Sequence, residues 1–449
     1  MSTVNRAKTG HFLPMNLKKK YPVIVRAEGR RLFTASGTSY LDGASGGVGA
    51  VNIGHGVPEV LEAIATQSRK ICHAHGSLFM NEVQVELADL IIKRFAPVEM
   101  KNVYFVFTGT EATELCVKLA RLFHLHRGHP ERHKIISRWS GYHGSSLAAL
   151  SYSGRSSRRH QFHPYYFSST RIGPAYYYRA GRGMAEEEYS HMAADALDDA
   201  IRREGPQTVS CFIAEPLVNT MGACPAPAGY FERIREICDR YDVLLILDEV
   251  VTGFGRTGKN FGIDHWNATP DLIACGKGIS GGYSPLACAV VTGNVVNALE
   301  QDPSGDTVVG YTHGGNPLSC ATGVAVLEYI LQNDLVSRSA LMGEKMMQQA
   351  RHRLGDHPHV GDIRGSGLHM AVEFVRDRQT LEMYPAETNK AEEVYDCCMA
   401  HGLNLCPVHG DGDGQRGDSV IIKPAFTILE EEVDELFDKL EESIREVVW

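Results

Sequence analysis

Val243-Leu244-Leu245-Ile246-Leu247-Asp248-Glu249-Val250 is the stretch that decides how this chain folds. Five apolar residues in a row, Val243 to Leu247, with no polar alternate, read as a strand buried on both faces. Such strands belong to parallel sheets covered by helices on either side. Asp248 then ends the strand, and the carboxyl ends of parallel strands face the crevice where α/β folds place ligands.

Outward from this stretch, strand-like runs alternate with helical periodicity. Val103-Tyr104-Phe105-Val106-Phe107 precedes a helix expected from about Glu111 to Arg127, and Lys134-Ile135-Ile136-Ser137-Arg138 forms the next strand. Val209 to Glu215 follows, then a helix from about Tyr230 to Tyr241, the strand ending at Asp248, and the runs Asp271–Ala274 and Leu286–Val291. This alternation predicts an α/β fold with a mostly parallel central sheet. Past about residue 333, amphipathic stretches surround one strand, Leu368 to Phe374, which predicts a smaller α+β domain. The expected division is an N-terminal segment, 1–60, packing with a small domain, 334–449, around a large domain, 61–333.

Composition narrows the function. A net charge of −9 without a long basic run argues against nucleic acid or an anionic membrane as partner. The residues MSTVNRAKTGHF lack the apolar core of a secretory signal, and no run approaches the ~20 apolar residues of a membrane span. Eleven cysteines lack metal-ligand spacing, so reduced thiols, no metal site and a cytoplasmic setting are expected.

Lys277, in Ala274-Cys275-Gly276-Lys277-Gly278-Ile279, sits between glycines, which a surface lysine does not need. A partly desolvated amine there would serve as a nucleophile toward a carbonyl. Asp248 is costly to bury unless paired, and a pyridinium N–H would pair it. The alternative for Asp248 is a nucleotide-hydrolase carboxylate, but the G-x-x-x-x-G-K-[ST] loop is missing, since Gly278 follows Gly276-Lys277. Together an amine and a carboxylate meet the needs of pyridoxal phosphate. Val250 would project from the same face as Asp248.

Other segments carry double readings. Thr108-Gly109-Thr110-Glu111 opens a helix, either as a phosphate cradle at Gly109 and Thr110 or as a plain capping box from Thr108 to Glu111. In Trp139-Ser140-Gly141-Tyr142-His143-Gly144, Tyr142 either stacks on a flat cofactor or is a buried tyrosine. Glu215 is a site acceptor or a solvated strand-end acid. Thr312, before Gly314-Gly315-Asn316-Pro317, offers a second anion cradle or a helix entry.

These segments, in this order, resemble the class III (omega) aminotransferases of fold-type I pyridoxal phosphate enzymes. The most specific stretch runs Leu247-Asp248-Glu249-Val250-Val251-Thr252-Gly253-Phe254-Gly255-Arg256-Thr257-Gly258, with Lys277 following Pro270-Asp271-Leu272-Ile273. The resemblance implies that Lys277 bonds the cofactor and shuttles a proton, while Asp248 binds the pyridine nitrogen. It implies Tyr142 and Val250 around the ring, with His143 beside it and Glu215 next to cofactor and substrate. Gly109 and Thr110 would hold the phosphate, joined by Thr312 of a partner subunit. A homodimer with its site at the interface is therefore implied, Phe79 reaching the neighbouring pocket.

Departures from the family pattern bear on substrate. Gly47-Val48 follows Ser45-Gly46 where many relatives carry bulk, so a roomier pocket is expected. Cys406 stands where relatives often have an arginine for a carboxylate; Arg416, in the acidic glycine loop 409–418, is the candidate substitute. Lys423, before Pro424, is also unusual. The expected activity is transfer of an amino group from an amine or amino acid to a keto acid, ketone or aldehyde by a ping-pong cycle. A racemase, aminomutase or decarboxylase on the same fold is the alternative that these residues would also serve.

Overall fold

The computed structural model describes residues 11–448 apart from 308 and 411. The opening residues 1–10, read above as lacking a secretory core, and Asp411 of the acidic loop lie outside the described residues.

A seven-stranded sheet forms the centre, in the spatial order Met100–Val106, Ala287–Thr292, Leu272–Cys275, Leu244–Asp248, Val209–Ala214, Lys134–Arg138, Thr170–Ile172. Pairings from Leu272–Cys275 through to Thr170–Ile172 are parallel; Ala287–Thr292 alone runs against its two neighbours. Side-chain alternation divides the middle strand between two cores. Leu245 and Leu247 join the cluster with Phe212, Ile273 and the Tyr230–Tyr241 helix. Leu244 and Ile246 join the other, with Cys211, Ile213, Ala274 and the Gly109–His126 helix. Both faces are thus covered, which is why the sequence shows an unbroken apolar run rather than alternation.

That parity also separates the two acids at the strand end. Asp248 continues the Leu244–Ile246 face toward the N-terminus of the Gly109–His126 helix. Glu249 turns to the other side, fully buried, where it accepts from Gly262 N at 2.7 Å and Ile263 N at 2.8 Å. Burial holds its carboxyl up at about 7 despite these donors. Glu249 is therefore a structural anchor of the following loop.

The C-terminal part carries an antiparallel sheet, Val360–Ser366, His369–Phe374, Asp418–Ile422, Cys406–His409. The glycine-rich stretch 409–418 is the connection between its last two strands. Leu403–Asn404 instead pairs in parallel with Ser39–Asp42, extending the N-terminal strands Ile24–Glu28 and Arg31–Thr34. Arg256 stitches these parts together: it donates to Leu368 O, Pro424 O and Ser45 Oγ at 3.1, 2.5 and 3.3 Å. Among the described residues no helix is long and apolar enough to cross a membrane.

Candidate active site

A cavity of about 730 Å³ opens at the carboxyl ends of the central strands, where the C-terminal sheet folds over them. Gly109, Thr110, Tyr142, His143, Glu215, Asp248, Val250 and Lys277 all line it, as does Val48.

The Gly109–His126 helix starts with a full capping box. Thr108 Oγ1 accepts from Glu111 N at 3.2 Å and Glu111 Oε2 accepts from Thr108 N at 3.0 Å. The cap satisfies the third turn position and leaves the Gly109 and Thr110 amides without intrahelical acceptors. The two readings of this segment therefore coexist: the cap organises the turn whose first amides face the cavity. A Cβ on Gly109 would lie 2.8 Å from Val250 Cγ1, and one on Gly144 would lie 2.7 Å from Thr110 Oγ1. Glycine at both places keeps this cradle open.

Asp248 is 6% exposed and fixed on both oxygens. Oδ1 accepts from Val250 N at 3.1 Å, and Oδ2 lies 2.9 Å from His143 Nδ1. Beside it, Glu215 Oε1 accepts from Tyr142 N at 3.0 Å and Oε2 from Asn219 N at 3.1 Å. Glu215 is thus a buried positioning acid rather than a solvated one, and burial raises its carboxyl above the ordinary range. Its backbone carbonyl accepts from Arg138, which lies over the rings of Tyr230 and Phe231.

Lys277 adopts φ 44°, the left-handed region that few non-glycine residues occupy. Its neighbours explain how. A Cβ on Gly276 would press Val250 Cγ1 at 3.2 Å, and one on Gly278 would meet Asn52 Nδ2 at 3.0 Å. Asn52 Nδ2 donates to Gly278 O at 3.1 Å and pins the turn. The amine has no hydrogen-bond or ion-pair partner among the described residues. Burial, with Lys423 adding its positive charge, pulls the amine down to about 8, against the opposing pull of Asp248 and Glu215.

Four expected residues lie elsewhere in the chain. Thr312 is exposed, and Phe79 is 62% exposed beside Leu78 and Met80. Arg416 does not line the cavity: its Nε bonds Asp413 Oδ2 at 2.8 Å within its own exposed loop. Gly47 does not line it either, and at φ 88° any side chain there would be strained; Val48 is the residue that borders the space. Sequence reasoning missed Asn219, Arg155 and Arg158, which also border the cavity and carry no periodic or spacing signal.

A mostly parallel sheet with an amine, a paired aspartate and a glycine-walled helix start at its carboxyl edge has the layout of a cofactor-dependent α/β enzyme. The chain belongs to the family aminotransferase class-III, which its residues 14–444 match. An uncharacterized aminotransferase of Bacillus subtilis strain 168 is 35% identical over 98% of this chain and 98% of its own. A diaminobutyrate–2-oxoglutarate transaminase of Halomonas elongata is 35% identical over 95% of this chain and 90% of its own. A PLP-bound amine transaminase from an uncultivated Pseudomonas species superposes with TM-score 0.92 at 28% identity, covering 99% of this chain and 100% of that one. The protein is a pyridoxal phosphate-dependent aminotransferase of fold type I, and the readings as racemase, aminomutase or decarboxylase are not favoured. The residues present fit the cofactor: an open cradle for a phosphate, an anchored carboxylate for a ring nitrogen, and an unbonded amine.

Proposed function

We propose that this chain works as an omega-type transaminase, a cytoplasmic homodimer whose site draws on both subunits. In this reading Lys277 is the catalytic amine, Asp248 takes the ring nitrogen, Tyr142 and Val250 flank the ring, and Gly109 and Thr110 take the phosphate. Thr312 of the partner subunit would complete the phosphate site. When bound, pyridoxal phosphate supplies an aldehyde that couples reversibly to amines and a protonated ring that withdraws electrons from the substrate carbon.

The chain's own residues do the rest. Asp248, held by His143 and the Val250 amide, keeps a proton at the ring nitrogen. Lys277 Nζ, as an unprotonated amine, would take a proton from the substrate carbon that bears the amino group and would deliver it again within the same half-reaction, so that no net proton stays on the amine. Glu215 sets the loop bearing Tyr142 through the 3.0 Å bond to its amide. The observation that carries the reading is the unbonded Lys277 amine sharing one cavity with Asp248. Exposed Leu78, Phe79 and Met80, contiguous and apolar, support a subunit interface there.

Borohydride treatment of the holoenzyme, followed by peptide mapping, tests the assignment. Fixation of the cofactor on Lys277 is expected, and Lys277→Ala should lose turnover while retaining non-covalent cofactor. Fixation elsewhere, or near-normal turnover of that variant, removes Lys277 from the role. Light scattering on the purified protein decides the dimer.

A further inference from the structure

Lys423 is the most unusual group in the cavity wall. It is 1% exposed, yet it borders the cavity. Its ammonium bonds a single neutral acceptor, Asn219 Oδ1 at 3.2 Å, and no carboxylate lies within ion-pair distance among the described residues. Asn219 Oδ1 also lies 3.2 Å from His369 Nε2, so both of its lone pairs are engaged. Nearby acids are committed elsewhere: Asp248 to His143 and Val250 N, Glu215 to Tyr142 N and Asn219 N.

The surroundings are positive as well as buried. Arg256, fully buried, is satisfied by carbonyls and a hydroxyl rather than by a carboxylate. His369 is driven well below the usual histidine range, first by burial and then by Lys423, Arg256 and Lys277. Burial likewise lowers the Lys423 amine, with Cys406 opposing and Arg256 adding to the effect. A buried cation without a counter-charge is costly, and the cost falls when an anion completes the pair.

We propose that Lys423 is a specificity-determining residue: its ammonium receives the carboxylate, or an equivalent acidic group, of the amino donor or keto acceptor. This rests on the aminotransferase reading of the same cavity. It replaces Arg416, whose guanidinium is spent on Asp413. Arg155 and Arg158 also border the cavity, half-buried and exposed respectively, where water screens an ion pair far more than at Lys423. Gly49 leaves room for this lysine: a Cβ there would sit 3.1 Å from its Cδ.

The test uses holoenzyme of the wild type and of Lys423→Met, Lys423→Arg and Arg158→Ala. Donor half-reactions are followed by the change in cofactor absorbance, with alanine, β-alanine and longer straight-chain ω-amino acids. Each is paired with the alkylamine that lacks its carboxylate. For at least one acid, Lys423→Met should lose roughly thirtyfold or more in kcat/KM, the low end for truncating a buried charge pair, chiefly in KM. The matched alkylamines should hold or improve, Lys423→Arg should restore part of the loss, and Arg158→Ala should change little. Binding of propionate to the holoenzyme, read without turnover by its spectral perturbation, should weaken in parallel.

Equal losses for acids and alkylamines, or cofactor retention in Lys423→Met that stays weak even at alkaline pH where Lys277 is unprotonated, would make the lysine structural or cofactor-bound and overturn the proposal. So would unchanged kinetics for every acid. A wild type that transaminates no donor at all would instead overturn the omega-type reading.

Discussion

His143 Nδ1 lies 2.9 Å from Asp248 Oδ2, so the acid ending the central strand is oriented by a ring from a neighbouring loop. His143 is 2% exposed and its Nε2 has no hydrogen-bond partner among the described residues. The ring therefore serves the carboxylate. His143→Phe keeps the volume and removes the bond. Hydrogen bonds to charged groups contribute about 1.5–3 kcal/mol, so cofactor affinity should fall on the order of tenfold to a hundredfold. Titration of apoprotein with pyridoxal phosphate measures it; unchanged affinity would leave Asp248 anchored by Val250 N alone.

Asp248→Asn retains the shape of the side chain and removes its charge. An amide does not hold a proton on the ring nitrogen, so kcat should drop on the order of a hundredfold or more, with KM little changed. Steady-state kinetics with a saturating donor decides this, and a drop confined to KM would contradict it.

Covalent coupling of the apoenzyme to pyridoxal phosphate should depend on pH through Lys277. Only the unprotonated amine is nucleophilic, and burial with the charge of Lys423 brings that amine down to about 8 from the ordinary lysine value of 10.5. Raising the pH toward 8 therefore increases the reactive fraction, and the rate should level off above it. Lys423→Met removes a positive neighbour and should move the rise to higher pH. A rate still climbing steeply to pH 10.5 in the wild type would mean the site leaves lysine unperturbed.

Pocket width can be tested at Val48, which borders the cavity and is 55% exposed. Val48→Trp should raise KM for bulky amines more than for small ones. Gly47→Leu cannot serve, because φ 88° at Gly47 would add backbone strain to any size effect. Equal changes for both amine sizes would show that Val48 does not limit the space.

The parts legible in the sequence were those where one physical demand dominates. Doubly buried strands force unbroken apolar runs, so Leu244–Asp248 and Val209–Ala214 stood out, and an acid at such an end had to be paired. The Thr108–Glu111 cap was equally plain. Less visible were elements fixed by partners distant in sequence. Thr170–Ile172 is a three-residue edge strand with too few positions to show a period. Cys406–His409 and Asp418–Ile422 flank a glycine-rich connection whose composition masked their pairing. The reversed direction of Ala287–Thr292 leaves no trace, since its two faces are as buried as those of Leu272–Cys275 beside it. Asn219 was illegible because its value lies in touching Glu215, His369 and Lys423 at once.

Asn404 Nδ2 donates to Asp42 Oδ1 at 2.9 Å across 362 positions, where Leu403–Asn404 adds to Ser39–Asp42. Lys423 N reaches Gly43 O at 2.8 Å in the same region. At about 5–20 residues per second on the ribosome, the first strands wait roughly twenty seconds to over a minute for these partners. Throughout that interval the edge of Ser39–Asp42 that Leu403–Asn404 later covers would be open to mispairing with other nascent chains. Slowing translation late in the message should thus lower the yield of soluble enzyme, and a chaperone that shields exposed strand edges should recover it.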